Sequence, residues 1–159
     1  MANGYMGKIL EIDLTSKKIS TIDTDMKIAE NFVGGRGLVA KYLWDRIKTP
    51  GLDPLAPENP LMFFTGPLTG TIIPGPSRLV IGTKSPNTSP TASSYPKAST
   101  VAYSCMGGQF APEMKFSGFD GIIVTGKSDK PVYLVIDDGK AEIKDAAHLW
   151  GKKTDDTDR

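Results

Sequence analysis

The chain has 159 residues, of which 39% are hydrophobic, and this is typical of one folded domain rather than a disordered chain. Nineteen basic and eighteen acidic residues give a net charge of +1, which offers no electrostatic attraction for nucleic acid or an anionic membrane. No apolar run approaches the roughly 18 residues that a membrane-spanning helix needs. A single cysteine and an N-terminus without a signal-peptide pattern favour a cytoplasmic location.

The first third of the chain predicts a hairpin followed by two helices. In residues 7–24, Leu10, Ile12 and Leu14 alternate toward one face before a turn at Thr15-Ser16. A short helix then starts at a cap, Thr24 or Asp25, and runs to Phe32. Apolar residues at helical spacing predict a second helix over residues 35–48.

The rest of the chain is rich in short strands. The segments LMFFTG, SRLVIGT and GIIVTG are too short and apolar to be anything but buried strands. Residues 131–146 predict two more strands that turn at Asp138-Gly139, and residues 83–100 predict a long Ser/Thr/Pro loop. The fold class that follows is α+β, with predominantly antiparallel sheets and a few short helices.

One domain is expected to cover residues 1–153. In residues 154–159, Thr154 is a candidate helix N-cap, and the acidic residues that follow it are favoured in a first helical turn. The pattern therefore predicts the start of a helix but includes too few residues to form the rest of it. Two interpretations stay open: a polar disordered tail, or the start of a helix that was truncated.

Two motifs carry little weight. Gly35-x-Gly37-x-x-Ala40 matches a dinucleotide fingerprint, but it follows a helix, so these glycines are better explained as helix boundaries. His148 is the only histidine and is interpreted as a packing or capping residue. With one histidine and one cysteine, this chain cannot assemble a zinc site or an iron–sulfur cluster by itself.

Arg78 is a candidate binding residue for a phosphate-bearing ligand. It begins a predicted strand and is flanked in sequence by two glycine-rich segments, TGPLTGT and CMGG. Arginine suits bidentate phosphate recognition, and bare glycine backbone lets N–H groups approach an anion. The alternative is an ordinary solvated arginine; Lys84 and Lys97 are weaker auxiliary candidates.

The segment from Cys105 to Gly108 is the second candidate. Cys105 taken alone is interpreted as a small buried hydrophobe, the commonest state of a free cysteine. Gly107 and Gly108 open a predicted helix, QFAPEMKF, with Phe110, Met114 and Phe116 toward the core. Residues 104–108 therefore predict a backbone cradle for an anionic ligand.

Several phrases, in order, resemble one known family. GKILEIDLTSKKI, FFTGPLTGT, SRLVIGTKSP and the long run of residues 107–153 closely resemble the N-terminal domain of the aldehyde:ferredoxin oxidoreductase family. These are tungsten or molybdenum enzymes with a bis-pterin cofactor. The resemblance covers the chain from about Gly4 to Lys153.

The resemblance implies a role for each candidate. Arg78 matches the arginine that contacts the pterin phosphates. Gly107 matches a glycine of the turn that touches the cofactor, with Gly108 beside it. A backbone carbonyl of that turn helps to hold magnesium between the phosphates. Cys105 departs from the family pattern, which has asparagine there, so a backbone contact would survive but a side-chain contact would not.

The implied function is the pterin-binding part of an enzyme that oxidises aldehydes to carboxylic acids and passes electrons to ferredoxin. Later domains or a second subunit would supply the 4Fe–4S cluster, so the isolated chain is expected to be inactive. Its uncovered apolar surface predicts self-association as a homo-oligomer. The alternatives are a non-catalytic pterin-binding module and an assembly subunit that binds no cofactor.

Overall fold

The structure is a computed structural model that describes residues 4–87 and 100–157. Lys97 and most of the predicted Ser/Thr/Pro loop lie outside the described residues. Within them, the strands are β1 Lys8–Asp13, β2 Lys18–Asp23, β3 Leu61–Phe64, β4 Leu79–Lys84, β5 Val101–Met106, β6 Gly121–Thr125, β7 Val132–Asp137 and β8 Lys140–Asp145. The helices are α1 Met26–Phe32, α2 Gly35–Arg46, α3 Phe110–Phe116 and α4 Thr154–Thr157.

The strands form a main sheet in the order β2-β1-β6-β3-β4-β5 and a separate β7-β8 hairpin. Every neighbouring pair is antiparallel except β1 and β6, which run parallel. The predicted α+β class with mainly antiparallel strands is confirmed, as are both hairpins. The β7–β8 turn places Asp138 and Gly139 at φ of 40° and 79°, the left-handed region that Asp-Gly turns favour.

The main sheet is buried on both faces. Ile9 is fully buried and packs with Leu38 and Val39 of α2, whereas its neighbour Leu10 packs with Met114 of α3 on the opposite face. Leu10 and Ile12 are buried as expected, and Ile9 on the opposite face of β1 is buried as well. Helices α1 and α2 cover one face, and α3 with the β7–β8 hairpin covers the other, so the central strands are apolar throughout.

Helix α2 lies unusually close to β4. A Cβ on Gly82 would lie 2.2 Å from the Val39 Cγ1 atom, so only glycine permits this approach. The contact holds α2 against the middle of β4, and Gly35 at the start of α2 lies close to Val80, near the end where β4 begins. At 12 residues, α2 is the longest helix in the described ranges, and none of the helices there has the length and apolar character to cross a membrane.

A buried ion pair joins α3 to the main sheet. The Lys115 Nζ lies 2.8 Å from the Asp120 Oδ1, and both side chains are almost completely buried. Asp120 also accepts hydrogen bonds from the backbone N–H groups of Met6 and Gly7 and from the Thr24 hydroxyl, at 2.8 to 2.9 Å. Lys115 also donates to the Gly4 carbonyl at 2.6 Å, so both buried charges are hydrogen-bonded, as buried charges require.

Helix α3 orients its side chains differently from the expectation. Met114 is buried as predicted, but the Phe110 and Phe116 side chains are 48% and 61% exposed. The buried side of this seven-residue helix consists of Ala111, Met114 and Lys115. Lys115 takes a core position because Asp120 neutralises it there.

Candidate functional site

Three glycine-containing segments and the Ser77-Arg78 pair meet at one end of the main sheet, which we call the glycine end. It is the end at which β3 and β5 finish and β4 begins, and it contains residues 34–37, 65–70, 77–78 and 107–108. The Gly35 N–H donates to the Thr65 carbonyl at 2.9 Å. A Cβ on Gly34 would lie 2.7 Å from the Gly66 Cα, so the start of α2 and the segment after β3 touch through bare backbone.

The register of β4 and β5 brings Arg78 and Gly107 together at this end. The ladder pairs Val80 with Cys105 and Leu79 with Met106, so Arg78 and Gly107 are next in line. The two candidate binding residues are thus neighbours across two strands. This proximity is what a shared ligand site requires.

Open space lies above the turn after β5. The nearest atom to a Cβ placed on Gly107 would be the Ser77 Oγ at 3.9 Å, and a Cβ on Gly108 would have no atom within 4 Å. Gly108 has φ of 106°, a conformation that L side chains rarely adopt. The backbone here is accessible to a ligand from outside.

Arg78 itself is exposed. Within residues 4–87 and 100–157 its guanidinium group makes no hydrogen bond or ion pair, in contrast to Arg46, which pairs with Glu11. An arginine without a protein partner keeps its planar set of N–H donors available for a phosphate or carboxylate.

Cys105 is exposed, so the interpretation of a small buried hydrophobe was wrong. The reason is its position in β5, a strand that was not predicted and that forms one edge of the described sheet. The predicted cradle at residues 104–108 is accordingly strand through Met106 and becomes a turn only from Gly107. Because Cys105 lies opposite Val80, its side chain is on the face of the sheet that α2 covers.

Arg36 is a further exposed cation at the glycine end that the sequence analysis missed. Its Cζ lies 4.2 Å from the ring centroid of Tyr103, a cation–π contact between the first turn of α2 and β5. Glycines flank this arginine on both sides and were interpreted only as helix boundaries. The sequence Gly-Gly-Arg-Gly could have identified this arginine, because the adjacent glycines have no side chains that would shield it from solvent.

Two other candidates lie away from this end. Lys84 is the last residue of β4, at the far end of the strand from Arg78, and its Nζ donates to the Leu52 carbonyl. His148 packs edge-on against Tyr133, with ring centroids 6.4 Å apart, which fits the packing role expected for it. In the part of the chain that the structure describes, no group of three or more His, Cys, Asp or Glu side chains could hold a metal ion.

A groove of about 420 Å³ lies elsewhere, between α3 and the β7–β8 hairpin. Its walls include Phe63, Met114 and Leu134, and its rim carries the carboxylates of Glu113, Asp137 and Asp138. A negatively charged rim repels phosphate, whereas the glycine end presents two arginines. The electrostatics therefore favour the glycine end as the site for an anionic ligand.

Known proteins match nearly the whole chain. The model of the aldehyde ferredoxin oxidoreductase N-terminal domain matches residues 9–159. The tungsten-containing aldehyde ferredoxin oxidoreductase of Pyrococcus furiosus is 42% identical over 98% of this chain and 24% of its own length. The WOR-like subunit of an aliphatic sulfonate oxidoreductase from the same organism is 37% identical over 92% of this chain and 22% of its own length.

A solved structure agrees with these matches. The active site complex BamBC of benzoyl coenzyme A reductase, determined with 1,5 dienoyl-CoA, superposes with a TM-score of 0.88 at 43% identity. The match covers 99% of this chain and 22% of the other. The chain thus spans about a quarter of the length of the relatives it matches, and other domains or subunits accompany the equivalent region in them. This chain belongs to the aldehyde ferredoxin oxidoreductase family and corresponds to its N-terminal domain.

Proposed function

We propose that this chain is the pterin-binding domain of a tungsten oxidoreductase that oxidises aldehydes to carboxylic acids, with ferredoxin as electron acceptor. The proposal rests on one observation: Arg78 lies next to the open Gly107–Gly108 turn at the glycine end. A pterin cofactor of this kind bears phosphate, which an unpaired guanidinium and accessible backbone N–H groups bind well. The names of the curated relatives, which call them tungsten-containing, support tungsten as the metal.

The residues present fit such a group. The Arg78 guanidinium would bind a cofactor phosphate, and Gly107 and Gly108 would let the cofactor lie against the backbone. Cys105 would contribute through its backbone, with a carbonyl of this turn available to the magnesium ion. When bound, the cofactor supplies the redox chemistry at its metal, while this chain holds and orients it.

The relatives differ in their named substrates. Their names refer to aldehydes, aliphatic sulfonates and benzoyl coenzyme A, yet this domain is 37–43% identical in all three. A domain that is shared across such different substrates is better explained by a common cofactor than by substrate selection. We therefore assign the choice of substrate to the remaining domains.

Those remaining domains would also supply what this chain lacks. A 4Fe–4S cluster needs four thiolates, and Cys105 is the only cysteine here, so the cluster would lie in other domains or another subunit. Trp44, Ile72 and Trp150 are each more than three-quarters exposed, which is consistent with surfaces that another domain or a second copy covers. The complete enzyme would act in the cytoplasm, and this chain alone would be catalytically inactive.

The test uses this sequence both alone and within the protein that contains its further domains. We expect the larger protein to contain tungsten and pterin and to reduce a viologen dye when an aldehyde is added. Gly107→Val should abolish bound pterin and leave the thermal unfolding midpoint almost unchanged, because its Cβ would meet only open space and the ligand.

Three results would count against the proposal in different ways. Unchanged pterin content in Gly107→Val would remove the glycine end as the site. Pterin without aldehyde-dependent activity would favour a non-catalytic binding module. Dye reduction by residues 1–159 alone would contradict the assignment of catalysis to a larger assembly.

A further inference from the structure

Tyr103, Cys105 and Gly107 lie in a line along the α2-facing side of β5. Tyr103 pairs with Gly82, whose own Cβ direction meets Val39 of α2, and Cys105 pairs with Val80 on the same face. The stacking of Arg36 on Tyr103 independently places this side chain on that face. The edge strand therefore presents one continuous surface that begins at the turn beside Arg78.

Arg36 and Arg78 lie at different points along this surface. The Arg36 guanidinium stacks on the Tyr103 ring. Tyr103 is four residues from Gly107, and four residues of extended chain span about 13 Å. The exposed Cys105 lies between them. A single phosphate is much smaller than this separation along the strand, whereas a phosphate ester of a fused heterocycle is long enough to span it.

The Arg36 guanidinium is held in a defined orientation. One face lies 4.2 Å above the Tyr103 ring centroid, and no carboxylate partner is recorded for it within residues 4–87 and 100–157. Stacking of one face leaves the N–H donors in the plane of the guanidinium free. Such a group binds two adjacent acceptors at once, as arginine does with the O6 and N7 atoms of guanine. In an oxidised pterin, the 4-oxo group and the adjacent ring nitrogen N5 present a similar pair of acceptors.

We propose that Arg36 binds the acceptor edge of the ligand's heterocycle while Arg78 binds its phosphate, and that Tyr103 is a positioning residue for Arg36. This inference rests on the proposed pterin-binding function and extends the same site. The ligand would cross β5 over Cys105, so the thiol reports directly on its binding.

The experiment measures how fast the thiol of Cys105 in the 159-residue chain reacts with iodoacetamide. Because Cys105 is the only cysteine, the reaction is site-specific. The two probes are 6-hydroxymethylpterin phosphate, which carries ring and phosphate, and pyrophosphate, which carries no ring. Each probe is titrated against the alkylation rate to obtain a dissociation constant.

Arg36→Gln should weaken the pterin phosphate about tenfold and leave pyrophosphate unchanged, since one bidentate contact is lost. Arg36→Lys should weaken it nearly as much, because an ammonium group cannot form the fork. Arg78→Gln should weaken both probes, and Lys140→Gln, an exposed cation on the β7–β8 hairpin, should weaken neither. Tyr103→Phe should bind normally, whereas Tyr103→Leu should weaken the pterin phosphate about threefold.

The outcomes separate the two proposals. If Arg78→Gln weakens both probes and Arg36→Gln weakens neither, the role of Arg36 is overturned and the proposed function stands. If neither variant matters, both proposals fail. If Arg36→Gln weakens the pterin phosphate and Tyr103→Leu does not, the positioning role of Tyr103 is overturned. The Arg36 and Tyr103 side chains are both exposed, so their substitution should leave the fold intact. The thermal unfolding midpoint of each variant verifies that it is folded.

Discussion

Lys115 in α3 and Arg78 just before β4 are both cations next to the main sheet, but their surroundings are opposite. Lys115 is buried with Asp120, and that carboxylate receives three further hydrogen bonds from the segment before β1 and from Thr24. Arg78 is exposed beside Gly107 and Gly108, and its guanidinium group makes no hydrogen bond or ion pair within residues 4–87 and 100–157. A charge that the fold itself satisfies stabilises the fold, whereas a charge left free beside bare backbone is available to a ligand.

The largest effect should come from breaking the buried pair. Lys115→Met leaves the Asp120 carboxylate buried without its cation, and we expect the free energy of unfolding to fall by about 3 kcal/mol. Urea denaturation followed by circular dichroism measures the change. Arg78→Met is the matched control, and its effect should stay below about 0.5 kcal/mol. Equal losses in the two variants would contradict the comparison.

Two glycines, Gly82 at the α2–β4 contact and Gly107 in the open turn, should differ in the same way in how much stability is lost when a side chain is added. Gly82→Ala places a Cβ 2.2 Å from Val39, and we expect a loss of about 1–3 kcal/mol from overpacking. Gly107→Ala meets nothing closer than the Ser77 Oγ at 3.9 Å, so stability should barely change. Urea midpoints of the two variants provide the test, and a Gly107→Ala loss as large as that of Gly82→Ala would give this glycine a structural role.

A smaller effect should appear with pH at Tyr5, a buried side chain whose ring centroid lies 5.5 Å from the Lys115 Nζ and whose hydroxyl donates to the Ala29 carbonyl at 3.1 Å. Burial, and then the Asp120 and Glu30 carboxylates, raise the pKa of Tyr5 above its usual 10.0. The neutral phenol is therefore favoured in the folded state, so stability is complete below pH 10 and falls as the pH rises toward the folded pKa. In Tyr5→Phe, the decrease in unfolding free energy above pH 10 that comes from ionisation of Tyr5 should be absent. Unfolding free energies between pH 8 and 11 for both proteins measure it, and parallel curves would contradict the prediction.

The regular elements could be predicted from local signals. Asp25 was one of two expected caps for α1, and its carboxylate accepts from the N–H groups of Lys27 and Ile28 at 2.8 and 3.2 Å. Asp138-Gly139 likewise identified the β7–β8 turn. In both cases the deciding interactions are made within a few residues of the chain, so sequence spacing is sufficient.

The missed features depend on contacts between distant segments. The sequence of β5, VAYSCM, lacks a clean apolar alternation because the strand is exposed and gains its order from pairing with β4. Phe110 lies four residues before Met114, which is helical core spacing, but α3 turns Lys115 inward to reach Asp120 and leaves Phe110 and Phe116 exposed. Arg36 could be recognised only once the fold had brought it to Tyr103.

The central claim is the proposal that Arg78 holds the cofactor, and its most direct test is the tungsten and pterin content of the proposed complete enzyme that includes this domain. Wild type, Arg78→Gln and Lys140→Gln would be purified in parallel, with metal measured by mass spectrometry and pterin by fluorescence after oxidative release. We expect Arg78→Gln to lose about nine-tenths of both, in line with a charge-assisted contact of about 1.5–3 kcal/mol, and Lys140→Gln to retain both. Full occupancy in Arg78→Gln would contradict the account.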